Sequence, residues 1–594
     1  MSTRKRTPAA PTAPPRENPA AKYHPYPAVD LPDRRWPSRT IERAPAWCSV
    51  DLRDGNQALV RPMDIERKLE LFRLLVEVGF REIEVGFPAA SEVEFAFTRR
   101  LVEEGLVPEG VAIQVLTQAR DHLIDRTCEA LRGAARAVLH LYNSTSTLQR
   151  RVVFGMSRRE IVAIAVAGAR RAREGAAALA GTDVRFEYSP ESFTGTELEF
   201  ALEVCEAVLD ELGATAGRPV IVNLPATVEM ATPNVYTDQI EWFLRRLARP
   251  ERAVLSVHAH NDRGTAVAAT ELALLAGATR VEGTLFGNGE RTGNVDLLTL
   301  ALNLHSQGVD PGLDFRAVDR VVDVYERCTA MPVHPRHPYA GALVYTAFSG
   351  SHQDAIRKGM LAREREGGAL WAVPYLPIDP ADLGRSYEAV IRINSQSGKG
   401  GAAWVLEQEG FALPKAMHPE VGRLVQGISE RTGDEVAPAA VREAFVAEYL
   451  DRREPYELVR CRIREEPAAD ERAGTLARVE ATVGVRGAAR RVRGSGNGPI
   501  DAFCAALREA GLADFQLLDY HEHALGRGSD SRAAAYILLD VPGAGPVWGV
   551  GVDTDIAVAS LRGVLGALNR CPASALPAAA ASRRSGAGGG RRRP

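Results

Sequence analysis

The chain has 594 residues, which is too long for one ordinary hydrophobic core, so we expect two or three domains. Its apolar fraction of 45% and charged fraction of 25% are average for globular proteins. A net charge of −3 gives no basic surface for nucleic acid or an anionic membrane. No stretch approaches the ~20 uninterrupted apolar residues of a membrane span.

The two ends of the chain differ in composition from the rest. Residues 1–22 are rich in proline and lack the apolar centre of a secretory signal, so we expect a disordered tail. Residues 571–594, rich in Ala, Gly and Arg, predict a second one. The seven cysteines are scattered singly without a CxxC pair, which is typical of buried thiols in a reducing cytoplasm.

The segment that we assign to the first domain, residues 23–330, alternates short apolar runs with longer amphipathic stretches. Eight runs read as buried strands: AWCSVDL, REIEVGF, VAIQVLT, residues 135–141, VRFEYS, PVIVNL, AVLSVHA and RVEGTLF. Strands that alternate with helices run parallel, and eight such units in ~260 residues favour a closed (β/α)8 TIM barrel. The alternative is a doubly wound open sheet, which usually has fewer units and a glycine-rich first turn.

The first amphipathic stretch, residues 64–79, shows the pattern clearly. Its apolar stripe consists of Ile65, Leu69, Phe72, Leu75 and Val76. Asp64 precedes the stripe as a candidate N-cap, and Gly79 follows it as a candidate C′ residue. The sequence therefore predicts a helix between these two residues.

Beyond the barrel the pattern changes twice. Residues 331–450 are mainly helical and begin with the Pro- and His-rich connector MPVHPRHPYAGAL, which predicts helical linker subdomains. Residues 457–570 contain strand-like runs such as ELVRCRIREE, LARVEATVGVRG and AAYILLDV, and two helical stretches. Two successions of strand, glycine turn and helix predict a small C-terminal α/β (α+β) domain with an internal repeat.

Three polar segments follow predicted barrel strands, at the end where barrel enzymes hold their active sites. They are VDLRDGNQ (50–57), VHAHND (257–262) and GNGERTGN (287–294). Residues i and i+2 of a strand face the same side, so His258 and His260 project together into the barrel mouth. Asp54 and the Asn294 amide can complete a mixed N/O ligand set that suits Zn, Mn, Co or Mg.

The alternative for each motif alone is structural. Two histidines in an HxH pattern are more often ordinary residues than ligands, and an Arg-Asp pair is more often a surface ion pair. The chain contains a second such pattern, His521-Glu522-His523, outside the barrel and without carboxylates at strand ends, which we interpret as structural. The coincidence of three independent segments at one end of the barrel favours a metal site there.

The motifs LRDGNQ, HAHND and GNGERTGN, in this order and spacing, resemble those of the metal-dependent acyl-CoA-condensing barrel enzymes. That family includes the synthases of 2-isopropylmalate, homocitrate and citramalate. The runs RFEYSPESFTGTE, NLPATVEMATPN, FSGSHQDAI and VPYLPIDP resemble its long, leucine-regulated 2-isopropylmalate synthase branch. The resemblance covers nearly all of residues 22–569.

The resemblance implies specific roles for individual residues. The implied metal ligands are Asp54, His258, His260 and Asn294. The implied 2-oxo acid site contains Arg53, His140, Ser189, Glu191 and Thr227, with Leu116 and Tyr142 shaping the pocket for a branched side chain. Glu290 is implied to orient a ligand histidine, and His352 and Tyr375 to come from the helical region of a partner subunit. The base that deprotonates the acetyl methyl group is Glu191, or His352 acting through water; spacing does not decide between them.

Two glycine-rich turns have weaker implications. The segment from Asn394 to Gly401 lacks the first Gly and the final Ser/Thr of a phosphate loop, so we expect a helix-entry turn near CoA instead of a nucleotide site. The turn GSGNGPIDA resembles the leucine-binding turn of the long synthases, whose effector lies at a dimer interface. The implied leucine-site residues are Gly494, Gly496, Asn497, Gly498, Pro499, Tyr520 and Ala533.

Taken together, the resemblance implies a homodimeric enzyme of leucine biosynthesis that joins acetyl-CoA to 3-methyl-2-oxobutanoate and is inhibited by leucine. It implies a divalent metal (Mg, Mn or Zn), with K⁺ as a candidate activator, and no nucleic acid or membrane partner. One alternative is citramalate or homocitrate synthesis on the same scaffold. The other is a catalytically silent leucine sensor, against which the intact set of Arg53 and the four ligands argues.

Overall fold

The computed structural model describes residues 18–347, 349–367, 370–385, 402–403, 405–407, 409–432, 436–467, 475–526, 528 and 531–577. The predicted tails therefore lie outside the described residues except for 18–22 and 571–577, and the predicted turn at 394–401 lies outside them entirely. The described residues form two compact units. The first lies within residues 1–344 and 380–384, and the second lies within residues 345–379 and 385–594.

The first unit is a closed barrel of eight parallel strands in sequential order, as predicted. The strands are β1 (Ala46–Ser49), β2 (Glu82–Gly86), β3 (Ala112–Gln118), β4 (Arg136–Ser144), β5 (Asp183–Glu191), β6 (Val220–Ala226), β7 (Ala253–Ala259) and β8 (Arg280–Gly283). The helices are α1 (Ile65–Val78), α2 (Glu92–Glu103), α3 (Asp121–Leu131), α4 (Arg158–Ala177), α5 (Leu198–Glu211), α6 (Pro233–Arg246), α7 (Ala266–Ala276), α8 (Leu297–Ser306) and α9 (Val318–Thr329).

The predicted limits of α1 are confirmed. The Asp64 side chain accepts a hydrogen bond from the Arg67 amide, and Gly79 ends the helix with a left-handed φ of 116°. A side chain at residue 79 would be strained in that conformation, which is why glycine suits this position.

The first and last barrel strands are shorter than the sequence predicts. β1 ends at Ser49, and Asp51–Gly55 winds into a π-helical turn in which the Gly55 amide donates to the Val50 carbonyl. β8 ends at Gly283, where an added Cβ would lie 2.6 Å from the Val295 carbonyl oxygen. The loop of residues 287–296 thus packs directly on Gly283. At both β1 and β8 the chain leaves the sheet early, and the segments that follow place polar residues over the barrel mouth.

The second unit begins with helices and ends in a mixed α/β fold. Before the first strand, the described residues include the helices α10 (Gly350–Glu366), α11 (His418–Thr432) and α12 (Pro438–Phe445). Two β-β-β-α repeats follow: β9 (Tyr456–Pro467), β10 (Thr475–Val485), β11 (Ala488–Gly496) and α13 (Pro499–Glu509), then β12 (Gln516–Ala524), β13 (Ala533–Val541), β14 (Gly545–Asp553) and α14 (Ile556–Asn569).

Each repeat is a three-stranded antiparallel sheet with its helix packed on one face, and both helices share one apolar core. Cys571 and Leu576, which the sequence assigned to the C-terminal tail, are buried in that core. Burial of these two apolar side chains orders the chain beyond α14. None of the helices in the described part of the chain combines the length and hydropathy of a membrane-spanning segment.

Candidate active site

A cavity of about 250 Å³ opens where the barrel strands end at their carboxyl side. It brings together almost all the barrel residues that the sequence singled out. Those lining it are Arg53, Asp54, Leu116, His140, Tyr142, Ser189, Glu191, Thr227, His258, His260 and Glu290, joined by Gln57, Asn223, Pro225 and Arg291. Asn294 lies directly behind this lining and donates from Nδ2 to Asp54 Oδ2 over 2.8 Å.

Asp54, His258 and His260 form a compact group of possible ligands. The Nε2 atoms of both histidines lie 3.5 Å from Asp54 Oδ2, and all three side chains are buried. Each of the three residues offers one possible metal-ligand atom, and these three atoms lie within 4.8 Å of one another. The histidine rings stack with centroids 5.2 Å apart, as expected for residues i and i+2 at the end of one strand.

The charges of this group are strongly coupled. Burial favours a neutral Asp54, but Arg53 and the two histidines outweigh it and hold the pKa of that carboxyl well below its usual range. Burial disfavours a charged His258, but hydrogen bonds to Asp54 and Glu282 prevail and raise its pKa to about 9. Burial and the neighbouring His258 lower the pKa of His260 to about 4. His258 therefore holds a proton in this group, and a divalent cation that binds here would replace that proton.

The donor set fits a divalent metal. His260 Nδ1 and Asn294 Oδ1 are among the buried side-chain atoms of the described residues that lack a hydrogen-bond partner. Such orphaned atoms are rare because each carries a desolvation penalty of about 1–3 kcal/mol. Imidazole nitrogens with carboxylate and amide oxygens suit Zn, Mn or Mg, and the adjacent cavity leaves room for a chelating substrate.

The other side of the cavity carries charged and hydrogen-bonding groups. Arg53 lies 3.1 Å from Asp54 and donates from Nε to Glu84, so its guanidinium is held in place. His140 Nε2 lies 2.8 Å from Ser189 Oγ. Glu191 accepts a hydrogen bond from the Ser144 hydroxyl. These groups can bind a carboxylate and a keto oxygen, and Glu191 offers a carboxylate base.

Glu290 is predicted to orient a ligand histidine, but its hydrogen bond in the structure is with Gln57. Glu290 accepts a hydrogen bond from Gln57 Nε2 at 3.1 Å, near the surface of the loop. The carboxylate that meets a candidate ligand is Glu282 in β8, whose Oε2 lies 2.9 Å from His258 Nδ1. The reason is geometric, because Glu282 pairs with His258 in the register of β7 and β8.

Sequence reasoning also missed the polar layer beneath the mouth. Glu84, Gln114, Asn223, Arg280 and Glu282 are all buried inside the barrel. The available signal was polar residues at alternate positions of strand-like runs, as in REIEVGF and RVEGTLF. Inward-facing polar residues in an otherwise apolar strand require partners, so they indicate a network.

The two residues predicted to come from the helical region lie in the second unit. The His352 and Tyr375 rings stack with centroids 4.0 Å apart. Tyr375 is 61% exposed and has a φ of 65°, an unusual conformation for a tyrosine. The His352–Tyr375 pair is thus a preformed aromatic surface of that unit.

The predicted leucine-site residues lie in the C-terminal repeats. Gly494 and Gly496 are near the end of β11, Gly498 is the N-cap of α13, and that cap has no side-chain hydrogen bond. Tyr520 in β12 is 51% exposed, whereas Ala533 in β13 is buried. His521 pairs with Asp519 and His523 Nε2 lies 2.9 Å from the Gly410 carbonyl oxygen, which agrees with the structural interpretation of that motif.

Comparisons with known proteins agree with this architecture. The family described as HMGL-like matches residues 44–324, the alpha-isopropylmalate synthase post-catalytic domain-like family matches 342–407, and the LeuA allosteric (dimerisation) domain matches 435–571. Fold and site thus define a (β/α)8-barrel enzyme of the metal-dependent HMGL-like class, with a candidate metal site at its mouth.

Full-length relatives narrow this class further. 2-Isopropylmalate synthase of Rhodospirillum rubrum is 56% identical, covering 93% of this chain and 99% of the relative. That of Parafrankia sp. is 58% identical, covering 93% and 97%, and that of Clostridium acetobutylicum is 52% identical, covering 92% and 99%. The chain belongs to the 2-isopropylmalate synthase family.

Proposed function

We propose that this chain condenses acetyl-CoA with 3-methyl-2-oxobutanoate and hydrolyses the thioester, releasing 2-isopropylmalate and CoA for leucine biosynthesis. The observation that carries the proposal is the convergence of Asp54, His258, His260 and Asn294 beside Arg53 in one cavity. The chain's 52–58% identity to curated 2-isopropylmalate synthases supports this activity over other reactions of the barrel.

The candidate ligands Asp54, His258, His260 and Asn294 would hold a divalent metal. When bound, such an ion polarises the carbonyl group of the 2-oxo acid. Arg53 faces the same region with its Nε fixed by Glu84, so its positive charge stabilises negative charge that develops on the attacked oxygen. His140 and Ser189 bind the carboxylate end, and Thr227 lies at the rim of the same cavity.

Glu191 is our candidate for the general base. Its carboxylate lines the cavity and its side chain accepts a hydrogen bond from Ser144. It would take a proton from the acetyl methyl group, and the resulting carbanion attacks the keto carbon. His352, acting through water and supplied with Tyr375 by a partner subunit, is the second candidate.

The lining of the cavity favours a branched, uncharged side chain. Leu116, Tyr142 and Pro225 supply apolar surface. Homocitrate synthesis requires a cation for the distal carboxylate of 2-oxoglutarate, but the lining Arg291 already pairs with Asp262 at 2.7 Å. Pyruvate would leave part of the pocket unfilled. The apolar part of this lining therefore supports 3-methyl-2-oxobutanoate as the substrate.

A substrate panel tests the function. With acetyl-CoA and Mg²⁺ or Mn²⁺, free-thiol release should show the highest kcat/KM for 3-methyl-2-oxobutanoate among this acid, pyruvate and 2-oxoglutarate. His258→Ala should lose metal binding and activity together, while leaving leucine binding intact. A higher kcat/KM for pyruvate would replace the proposal with citramalate synthesis, and no turnover of any acid would favour a silent sensor.

The remaining assignments concern regulation and environment. We propose leucine as a feedback effector at the turn from β11 to α13, a homodimer formed through the LeuA-type domain, and K⁺ as an activator. The absence of disulfides among the seven cysteines supports a cytoplasmic location. The regulatory role is supported by the match of residues 435–571 to the LeuA allosteric (dimerisation) domain family.

A further inference from the structure

Glu282, one residue before the end of β8, is completely buried and surrounded by hydrogen-bond donors. Its Oε1 accepts from Gln114 Nε2 at 2.7 Å and from Arg280 Nη1 at 3.0 Å. Its Oε2 accepts from Asn223 Nδ2 at 3.1 Å and meets His258 Nδ1 at 2.9 Å. Each of the two carboxylate oxygens therefore has two hydrogen-bond partners.

A carboxylate accepts from all four of these groups at once. A glutamine at residue 282 would place its amide NH₂ against the donors of Arg280 and Gln114, or, on the other side, would require the Asn223 amide to reverse and the His258 proton to move from Nδ1 to Nε2. A buried donor facing a donor is strongly unfavourable. The charged Arg280 below also requires a negative partner, which it finds in Glu282 and Glu82.

This arrangement has a consequence for His258. A carboxylate accepts but does not donate, so His258 must carry a proton on Nδ1. In the neutral ring the lone pair is then on Nε2, the nitrogen that faces Asp54 at 3.5 Å. Metal-binding histidines are commonly oriented in this way by a carboxylate on their other nitrogen.

We propose that Glu282 is a positioning residue that fixes the tautomer and orientation of His258 for metal binding, and that Arg280 holds Glu282 in place. The inference rests on the proposed metal site and extends it to residues that do not touch the ion. Glu282 also connects the two halves of the cavity, because Asn223 Nδ2 contacts both Glu282 and Ser189 Oγ, the latter at 3.0 Å.

The test is Mn²⁺ binding to the metal-depleted full-length protein, measured by electron paramagnetic resonance without substrates. Glu282→Gln should weaken Mn²⁺ binding about 10–100-fold, in line with loss of such a carboxylate elsewhere. Glu282→Asp keeps the charge and all four acceptor positions but retracts them, so its affinity should fall between those of wild type and Glu282→Gln.

Glu82→Gln is the matched control. Glu82 lies at the start of β2, accepts from Arg280 Nε at 2.6 Å and from Arg185 at 2.7 Å, and contacts none of the four candidate ligands. Its replacement removes one carboxylate from the same arginine. It should lower the thermal midpoint as Glu282→Gln does, yet bind Mn²⁺ within about twofold of wild type, a margin small against the range expected above.

The outcomes separate the two proposals. Wild-type affinity in both Glu282 variants would overturn the positioning role, and so would an equal loss in Glu82→Gln. If Glu282→Gln does not fold, the comparison of Glu282→Asp with Glu82→Gln decides in the same way. A wild-type protein that binds no Mn²⁺ would instead contradict the metal site in the proposed function.

Discussion

Asp51 shows how a single buried group sets a property of the folded protein. It follows β1, accepts hydrogen bonds from the Ser49 hydroxyl and the Leu285 amide, and is 3% exposed. Burial outweighs these hydrogen bonds and raises its pKa to about 7. Its carboxyl group thus binds a proton more tightly in the folded chain than in the unfolded one.

The sign of the pH dependence follows from this difference. Between the ordinary Asp pKa of about 4 and the folded value the native state holds more protons, so stability falls as pH rises through that window. Asp51→Asn can keep both hydrogen bonds and removes the titration. Its thermal midpoint relative to wild type should therefore be higher at pH 8.5 than at pH 5.

Asp310→Asn is the control for this measurement. Asp310 is exposed and accepts a hydrogen bond from the Gly312 amide, a role that asparagine retains. Its difference from wild type should be the same at both pH values. An Asp51→Asn difference that does not change with pH would show that the buried carboxyl group does not titrate in this range.

The position of each site residue in its motif or strand explains whether the sequence could predict it. Arg53, Asp54, His258, His260 and Asn294 lie in long polar motifs at strand ends, where parallel strands deliver them to one rim. Glu282 was missed because it lies one residue before the end of a strand that reads as apolar. Its role depends on the register of neighbouring strands, and register is a tertiary property that a single sequence does not show.

At the scale of secondary-structure elements, the helices of the C-terminal repeats pack in close contact with the strands. An added Cβ at Gly551 in β14 would lie 2.0 Å from the Ala559 carbonyl oxygen and 2.5 Å from the Gly563 amide nitrogen of α14. At Gly494 in β11 it would lie 2.3 Å from the Ala502 carbonyl oxygen of α13. Because the contacts are with backbone, neither helix can yield without moving off its sheet.

Gly551→Ala should therefore destabilise the second unit by about 1–3 kcal/mol, the usual cost of overpacking. Gly484→Ala is the matched control, because its Cβ would make only ordinary contacts at 3.6 Å or more. Thermal denaturation of the full chain should show an earlier transition in the first variant alone. An equal effect in both would mean that glycine flexibility, and not close packing, determines the loss.

Because of this close packing, substitutions of the glycines in the turn are a poor test of leucine binding. Gly494 and Gly496 have a packing reason to be glycine, whether or not an effector binds beside them. A lost leucine response in Gly494→Ala could therefore come from a displaced α13. A side chain that is exposed in the structure gives a cleaner test.

Element prediction was accurate where burial is strong and weaker elsewhere. All eight barrel strands were predicted, because buried parallel strands read as continuous apolar runs. β11, β12 and β14 were missed as strands. β11 and β12 are rich in exposed charged or polar residues, and β14 contains three glycines, two of them at the helix contact, so none shows the usual β pattern.

At the scale of the whole molecule, the predicted boundary between the helical linker and the C-terminal domain does not separate two independent cores. Phe445 and Tyr449 from the helical region share an apolar core with Tyr536, Trp548 and Val550 of the second sheet. Deleting residues 457–594 should abolish a leucine response, but it would also uncover this core. Such a deletion cannot separate loss of an effector site from loss of packing.

Point variants on β12 avoid that difficulty. Tyr520 and His521 are neighbours in the strand, both exposed, and successive side chains point to opposite faces. Tyr520→Ala should weaken leucine binding at least about tenfold by calorimetry, the loss expected when ~1.4 kcal/mol of contact is removed. His521→Ala, which removes the hydrogen bond with Asp519, should bind leucine as wild type does.

Activity measured on the same variants completes the test. Without leucine both should turn over like wild type, because neither residue lies in the barrel. With leucine, inhibition should shift to higher concentration in Tyr520→Ala only, since an effector acts only through its different affinity for two states of the enzyme. Unchanged inhibition in Tyr520→Ala would place the effector elsewhere, and equal shifts in both variants would point to the fold of β12 instead of a contact.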